Sequence, residues 1–190
     1  TFARDARETV EWIAHLLGEP SQPGALAASQ DADLGLDDDG DYFTWTEDEF
    51  RDAIGEDDLA DLGARYYGVD ASGDMHARPG RNVLHAPKSV AQLARLLKAD
   101  PAEVAAGIED VRARLLATRQ RRPAPAVDRT VFADLNGMLI AALLRASQRI
   151  GHTPTARPRE LALAACEQLV ETHRHAGGPF AHYVDDGVMH

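Results

Sequence analysis

A chain of 190 residues, 44% hydrophobic and 27% charged, is long enough to bury a core and too apolar to stay disordered. It has no run of 18 apolar residues, and its opening Thr1-Phe2-Ala3-Arg4-Asp5 lacks the basic-then-apolar build of a signal peptide, which predicts no membrane span and a cytoplasmic setting. The net charge of −11 is unevenly spread, with 20 Asp/Glu against 4 Lys/Arg in residues 1–75 and 11 against 16 in residues 76–190, so the two halves either attract each other or occupy different faces.

In chain order, Phe2, Ala6, Val10, Ile13 and Leu17 recur at helical spacing and predict a helix over 2–17, closed by Gly18 and Pro20. A long acidic loop follows, 18–45. Thr46-Glu47-Asp48-Glu49 is a capping box for a short helix ending at Gly55, and another helix covers 56–67. Residues 68–87, punctuated by Gly68, Gly73, Pro79, Gly80 and Pro87, form a second long connection. Ser89-Val90-Ala91-Gln92 caps the helix that carries Leu93, Leu96 and Leu97. Asp100-Pro101-Ala102-Glu103 opens a longer helix whose Val104, Ile108, Val111 and Leu115 form the buried stripe, ended by Pro123 and Pro125. A helix through Val131, Leu135, Met138, Leu139 and Leu143 runs to Gly151. The last, about 156–175, carries Leu161, Ala165 and Leu169. No hairpin pattern competes with these signals, so the fold class is all-α with long loops.

Several chemistries are absent. Cys166 is the single cysteine, which excludes a disulfide framework and a cysteine zinc site, and its apolar surroundings predict a buried, inert thiol. His15, His173, His175, His182 and His190 show no metal spacing. There is no serine-nucleophile motif, phosphate loop or dinucleotide fingerprint, and no cofactor is expected. The basic patch Arg119-Gln120-Arg121-Arg122 sits at a helix end, where cations complement the dipole. Without interleaved aromatics it does not predict a nucleic-acid surface.

The acidic loop is the richest stretch. Asp31, Asp33 and the Asp37-Asp38-Asp39-Asp41 cluster offer oxygen ligands or paired carboxylates, but an EF-hand fails on its sixth and twelfth positions. No metal is therefore assigned. Asp31 and Asp33 brace the loop, contact a ligand or are simply hydrated, and Asp37 and Asp38 are expected to face water. Tyr42 and Trp45 either stack on a sugar face or anchor the loop. Arg81 and Asn82 either bond a ligand or tie loop carbonyls.

Asp31-Ala32-Asp33 followed by Asp39-Gly40-Asp41-Tyr42-Phe43-Thr44-Trp45-Thr46 resembles a D-A-D, acidic spacer, E-G-x-F-Y-x-W-T pattern. Gly55-Glu56-Asp57 with Tyr66-Tyr67-Gly68-Val69, then Gly80-Arg81-Asn82-Val83-Leu84-His85-Ala86-Pro87, then Asn136-Gly137-Met138-Leu139-Ile140-Ala141-Ala142-Leu143 agree in order, as does the stretch from Gly178 to Gly187. On these residues the chain resembles the thioredoxin-domain-containing family that includes the spermatogenesis-associated thioredoxin-like proteins. Those join a thioredoxin-like domain to an (α/α)6 toroid of the six-hairpin glycosidase type, similar to N-acylglucosamine 2-epimerases.

The resemblance implies a single partial toroid domain over 1–190, an incomplete (α/α)6 ring without the thioredoxin-like part, which is either a fragment or a truncated relative. It implies a sugar or polyol ligand and epimerase- or glycosidase-like chemistry. Asp31, Asp33 and His85 would then be the acid–base candidates, and Tyr42, Trp45, Arg81, Asn82, Asp128 and Asn136 the substrate contacts. The alternative is a non-catalytic helical interaction domain supporting a thioredoxin-like redox partner. The chain departs from the family's D-D-K-x-L-x-x-W-N-G at Asp128-Arg129-Thr130-Val131-Phe132-Ala133-Asp134-Leu135-Asn136-Gly137, losing an acid, a lysine and a tryptophan. Asp74 and His76 replace an asparagine and a glutamate.

Overall fold

The structure, a computed structural model, describes residues 2–19, 22–154, 156–174, 178–185 and 188–190. Pro20, His175 and the Asp186-Gly187 pair lie outside the described residues. Helix α1 (Phe2–Trp12) runs on into a π-helical turn, Ile13–Leu17, and is followed by the short strands β1 (Gly18–Glu19), β2 (Gln22–Leu26) and β3 (Ser29–Gln30). Then come β4 (Trp45–Thr46), α2 (Glu47–Ile54), α3 (Asp57–Tyr67), β5 (Arg81–Asn82), α4 (Val90–Leu97) and α5 (Pro101–Arg119). The chain closes with β6 (Val127–Asp128), β7 (Val131–Phe132), α6 (Ala133–Ile150), α7 (Pro158–His173), β8 (Tyr183–Asp185) and β9 (Val188–Met189). The fold is therefore largely helical, and the strands are short pins between helices. The three strands before the acidic loop occupy part of the segment expected to be loop.

Helix ends follow local chemistry. Thr46 Oγ1 accepts from Glu49 N and Glu49 Oε2 accepts from Thr46 N, a complete capping box, while Gly55 at φ 77° closes α2. Ser89 and Gln92 repeat the box on α4. Asp100 accepts from Ala102 N ahead of Pro101 at the start of α5.

Residue contacts fall into two compact units, Thr1–Asp31 with Val127–His190 and Ala32–Ala126, a division the sequence reading does not draw. In the first unit, Val10, Ile13, Leu17, Leu26, Leu143, Ala162 and Ala165 share one core, and the small alanines let α6 and α7 approach closely. β3 pairs antiparallel with β6, and β7, β8 and β9 form a small antiparallel sheet. Two expectations for this unit are corrected. Cys166 is exposed, because α7 turns Ala162 and Ala165 inward and the next residue, about 100° further round, points to solvent. On α6, Leu143 is buried but Leu135 and Met138 are exposed, because only one face of this broadly apolar helix is covered.

In the second unit, α5 lays Val104, Ile108, Val111 and Leu115 against its neighbours. Val111 and Leu115 join Trp45, Phe50, Ile54 and Ala60, while Val104 and Ile108 pack with Leu93 and Ala94. Gly63 of α3 leaves no room for a side chain, since a Cβ there would sit 2.9 Å from Val111 Cγ1 and 3.0 Å from Phe50 Cζ. Gly63→Ala is expected to lower stability by about 1–2 kcal/mol, overpacking of about 1–3 kcal/mol outweighing a helix-propensity gain near 1 kcal/mol. Gly137 of α6 meets nothing within 4 Å, and Gly137→Ala is expected to stabilise by up to about 1 kcal/mol. Urea midpoints of the two variants should move in opposite directions.

Candidate functional site

The acidic loop is braced from within. Asp33 Oδ1 accepts from Gly40 N at 2.9 Å, and Gly40 sits at φ 75°. Asp38, expected to be merely hydrated, instead accepts from Leu34 N at 2.7 Å, Asp39 N at 2.8 Å and Asp41 N at 2.9 Å. These N–H groups, Leu34 first and Asp41 next, hold the Asp38 carboxyl below its ordinary pKa. Its bracing is therefore complete above the unfolded-state value and is lost as pH falls through the folded one. Thr44 Oγ1 donates to Gly40 O at 2.9 Å, closing the turn into β4.

Two sequence signatures that lie 37 residues apart meet here. β4 pairs antiparallel with β5, Trp45 opposite Asn82 and Thr46 opposite Arg81. Asn82 is 1% exposed. Its Nδ2 donates to Trp45 O at 3.1 Å and Asp70 O at 3.0 Å, and its Oδ1 accepts from Asp70 N at 3.1 Å. Asp70 in turn accepts from Ser72 and Gly73, and the Ser72 hydroxyl and N–H are the main cause of its lowered pKa.

Three arginines complete the assembly. Arg78 pairs with the Asp41 carboxylate and donates to Asp37 O at 2.9 Å. Arg81 donates through Nε to Thr44 Oγ1 at 2.8 Å and through Nη2 to Asp41 O at 3.0 Å, with Asp41 Oδ1 3.1 Å from Nε as a charge contact. Arg122 donates through one nitrogen to Asp41 O, Tyr42 O and Thr44 O at 2.8, 3.1 and 2.8 Å, and reaches Glu49 at 3.3 Å. Its guanidinium carbon lies 3.9 Å from the Trp45 ring centroid, a close cation–π stack. Burial lowers the Arg122 pKa, and Glu49 pulls it back up. Within this unit the basic residues of 78–122 thus neutralise acids of 41–56, a local form of the attraction suggested by the charge split.

Trp45 is 2% exposed, and Tyr42 stands edge-on to Phe43 at 4.8 Å. His85 is 57% exposed at its side chain, with Nδ1 3.1 Å from Val83 O and 3.9 Å from Asp74 Oδ2. Its ring lies so close to Gly68, φ 72°, that a Cβ there would meet Cε1 at 3.1 Å. Asp33, Tyr42, Trp45, Arg81, Asn82 and His85 belong to the second unit, whereas Asp31, Asp128 and Asn136 belong to the first. In the first unit Asp31 is exposed. Asp128 accepts from Thr130 N at 2.9 Å, and its bonds to Thr130, backbone first, lower its pKa. Asn136 is buried in the first turn of α6, donating to Leu26 O at 2.9 Å and Phe132 O at 3.0 Å, while its Oδ1 has no partner among the described residues.

Sequence reasoning did not single out Arg78 or Asp70, and it assigned Arg122 to the helix dipole and Asp38 to water, whereas each holds a loop. For Arg122 a signal existed, since it stands three residues past the end of α5, outside the last turn where a cation complements the dipole. Beside Trp45 and Arg122 lies an open cleft of about 510 Å³ edged by Glu49, Asp52, Arg114 and Thr118. Among the described residues no group of three or more His, Cys, Asp or Glu is placed to hold a metal ion, and no helix is long and apolar enough to cross a membrane. No known protein-family profile matches the chain, and no curated protein matches it significantly.

Proposed function

We propose that the chain is part of an α/α helical-hairpin protein of the six-hairpin glycosidase-like kind and serves as a non-catalytic helical domain supporting a partner domain. By the sequence resemblance, that partner is thioredoxin-like. One observation carries the reading. Every polar atom of the Asn82 side chain bonds main chain, at the centre of the signature stretches where a ligand contact would otherwise be sought. A buried side chain with its bonds complete holds segments together and has nothing left for a substrate.

A second reading, sugar or polyol binding with epimerase- or glycosidase-like chemistry, is favoured by His85. Its Nδ1 is held by a carbonyl with a carboxylate nearby, the usual way of fixing an imidazole tautomer and leaving Nε2 for proton transfer. A melting screen of the protein against neutral sugars and polyols separates the two readings. The scaffold reading expects no saturable rise in Tm with any of them. A saturable rise that His85→Gln abolishes would establish the sugar reading instead.

A further inference from the structure

Next to the arginine-clamped turn, a second cleft of about 370 Å³ is lined by Phe43, Tyr67, Val83, Leu115, Leu116 and Arg119, with Trp45 at its base. Its volume falls at the small end of the roughly 300–1,000 Å³ of small-molecule sites. Phe43, Val83 and Leu116 are all exposed there, so apolar surface is presented to whatever enters. Among the described residues no Asp or Glu lines this cleft, although the chain has 31 of them and a net charge of −11.

Arg119 differs from the arginines around it. Arg78, Arg81, Arg114 and Arg122 each pair with a carboxylate. Arg119 makes no ion pair among the described residues, and its Nε is buried without a hydrogen-bond partner. Its guanidinium carbon stands 5.8 Å from the ring centroids of both Tyr42 and Phe43, which positions the cation without neutralising it. Arg112, two turns earlier on α5, also lines the cleft but is in contact with Glu109 at 3.7 Å. A cation without a carboxylate partner, over an apolar floor and with no acid among the described lining residues, favours an anion and disfavours a neutral or cationic guest.

We propose that this cleft binds a small organic anion with an apolar body, an aromatic or short-chain carboxylate, whose carboxylate engages Arg119 while its body lies on Val83, Leu115, Leu116 and Phe43. The site is distinct from the acid–base candidates of the sugar reading, because Asp31, Asp33 and His85 are not among its lining residues. The planar guanidinium donates N–H bonds to the carboxylate, and the apolar floor selects against inorganic anions and acetate.

The test is calorimetric or NMR titration of the whole protein with 4-phenylbutyrate, its neutral amide 4-phenylbutyramide, and acetate. Phenylbutyrate is expected to bind at least about tenfold more tightly than either, an advantage of about 1.4 kcal/mol. Arg119→Gln should remove the preference of acid over amide, and Arg119→Lys should keep part of it. The proposal is overturned if amide and acid bind alike, if acetate binds as well as phenylbutyrate, if Arg119→Gln binds the acid like the parent, or if no binding occurs at millimolar ligand. Should Arg119→Gln unfold, the acid–amide–acetate comparison on the parent chain and the Arg119→Lys result decide the matter.

Discussion

Replacing Arg122 with methionine is expected to destabilise residues 32–126 by about 3 kcal/mol, with Arg122→Lys intermediate. One guanidinium nitrogen gathers the carbonyls of Asp41, Tyr42 and Thr44, and the ion's face covers Trp45 at 3.9 Å. Methionine keeps the apolar contact with the ring but leaves three carbonyls to find water or remain unpaired. The Arg122 side chain is 19% exposed, so water reaches part of the site, which holds the loss below the sum of three fully buried bonds. Lysine keeps the charge, but a single ammonium cannot serve three carbonyls, Glu49 and the indole face together. The chain has two tryptophans, so a Trp12→Phe background makes Trp45 the only indole reporter. In it, Arg122→Met should red-shift the native Trp45 emission and move the urea midpoint well below the parent's. An unchanged midpoint would mean that the clamp contributes nothing to stability.

What was legible in the sequence follows from how each signal is encoded. The α5 stripe of Val104, Ile108, Val111 and Leu115 is buried as its spacing demands, because one amphipathic face carries its own direction. Caps at Thr46, Ser89 and Asp100 were equally readable, each being a local side-chain-to-backbone bond. The pairing of Trp45 with Asn82 was not, since a two-residue strand has no periodicity and its partner is set by the tertiary fold. Asp37 and Asp38 are neighbours in one charge run. Only the path of the main chain brings Leu34, Asp39 and Asp41 N–H groups to Asp38. Arg119 and Arg122 belong to one basic patch, and the end of α5 between them sends one to the aromatic rings of the loop and the other to its carbonyls. At α6 the apolar residues go nearly all the way round, so the pattern could not say that Met138 would be left outside. The candidate site was thus found as a stretch of chain, while the division of labour among its residues required the fold.

The same reasoning makes Asn82 the most sensitive single position in the site. Asn82→Ala removes the donor to Trp45 O and Asp70 O and the acceptor for Asp70 N, in a place where the side chain is 1% exposed and water has little access. Each orphaned buried group costs about 1–3 kcal/mol, and partial relaxation brings the expected loss to about 3–4 kcal/mol. That is a large share of the roughly 5–15 kcal/mol by which a domain is stable. Asn82→Asp is a sharper probe because it is nearly the same shape. At neutral pH it sets a carboxylate against two carbonyl oxygens, which raises the folded-state pKa of the new acid above its unfolded value. A group with a raised folded pKa costs stability as pH rises from the unfolded value to the folded one, so acidification restores part of the loss, the protonated acid donating one of the two missing bonds. Urea melts of Asn82→Asp and parent at pH 7 and pH 5 should show the gap between them narrowing on acidification, while the gap for Asn82→Ala stays constant. If Asn82→Asp is as stable as the parent at pH 7, the side chain does not bridge β4 and the Asp70 turn, and the architectural reading of the signature loses its support.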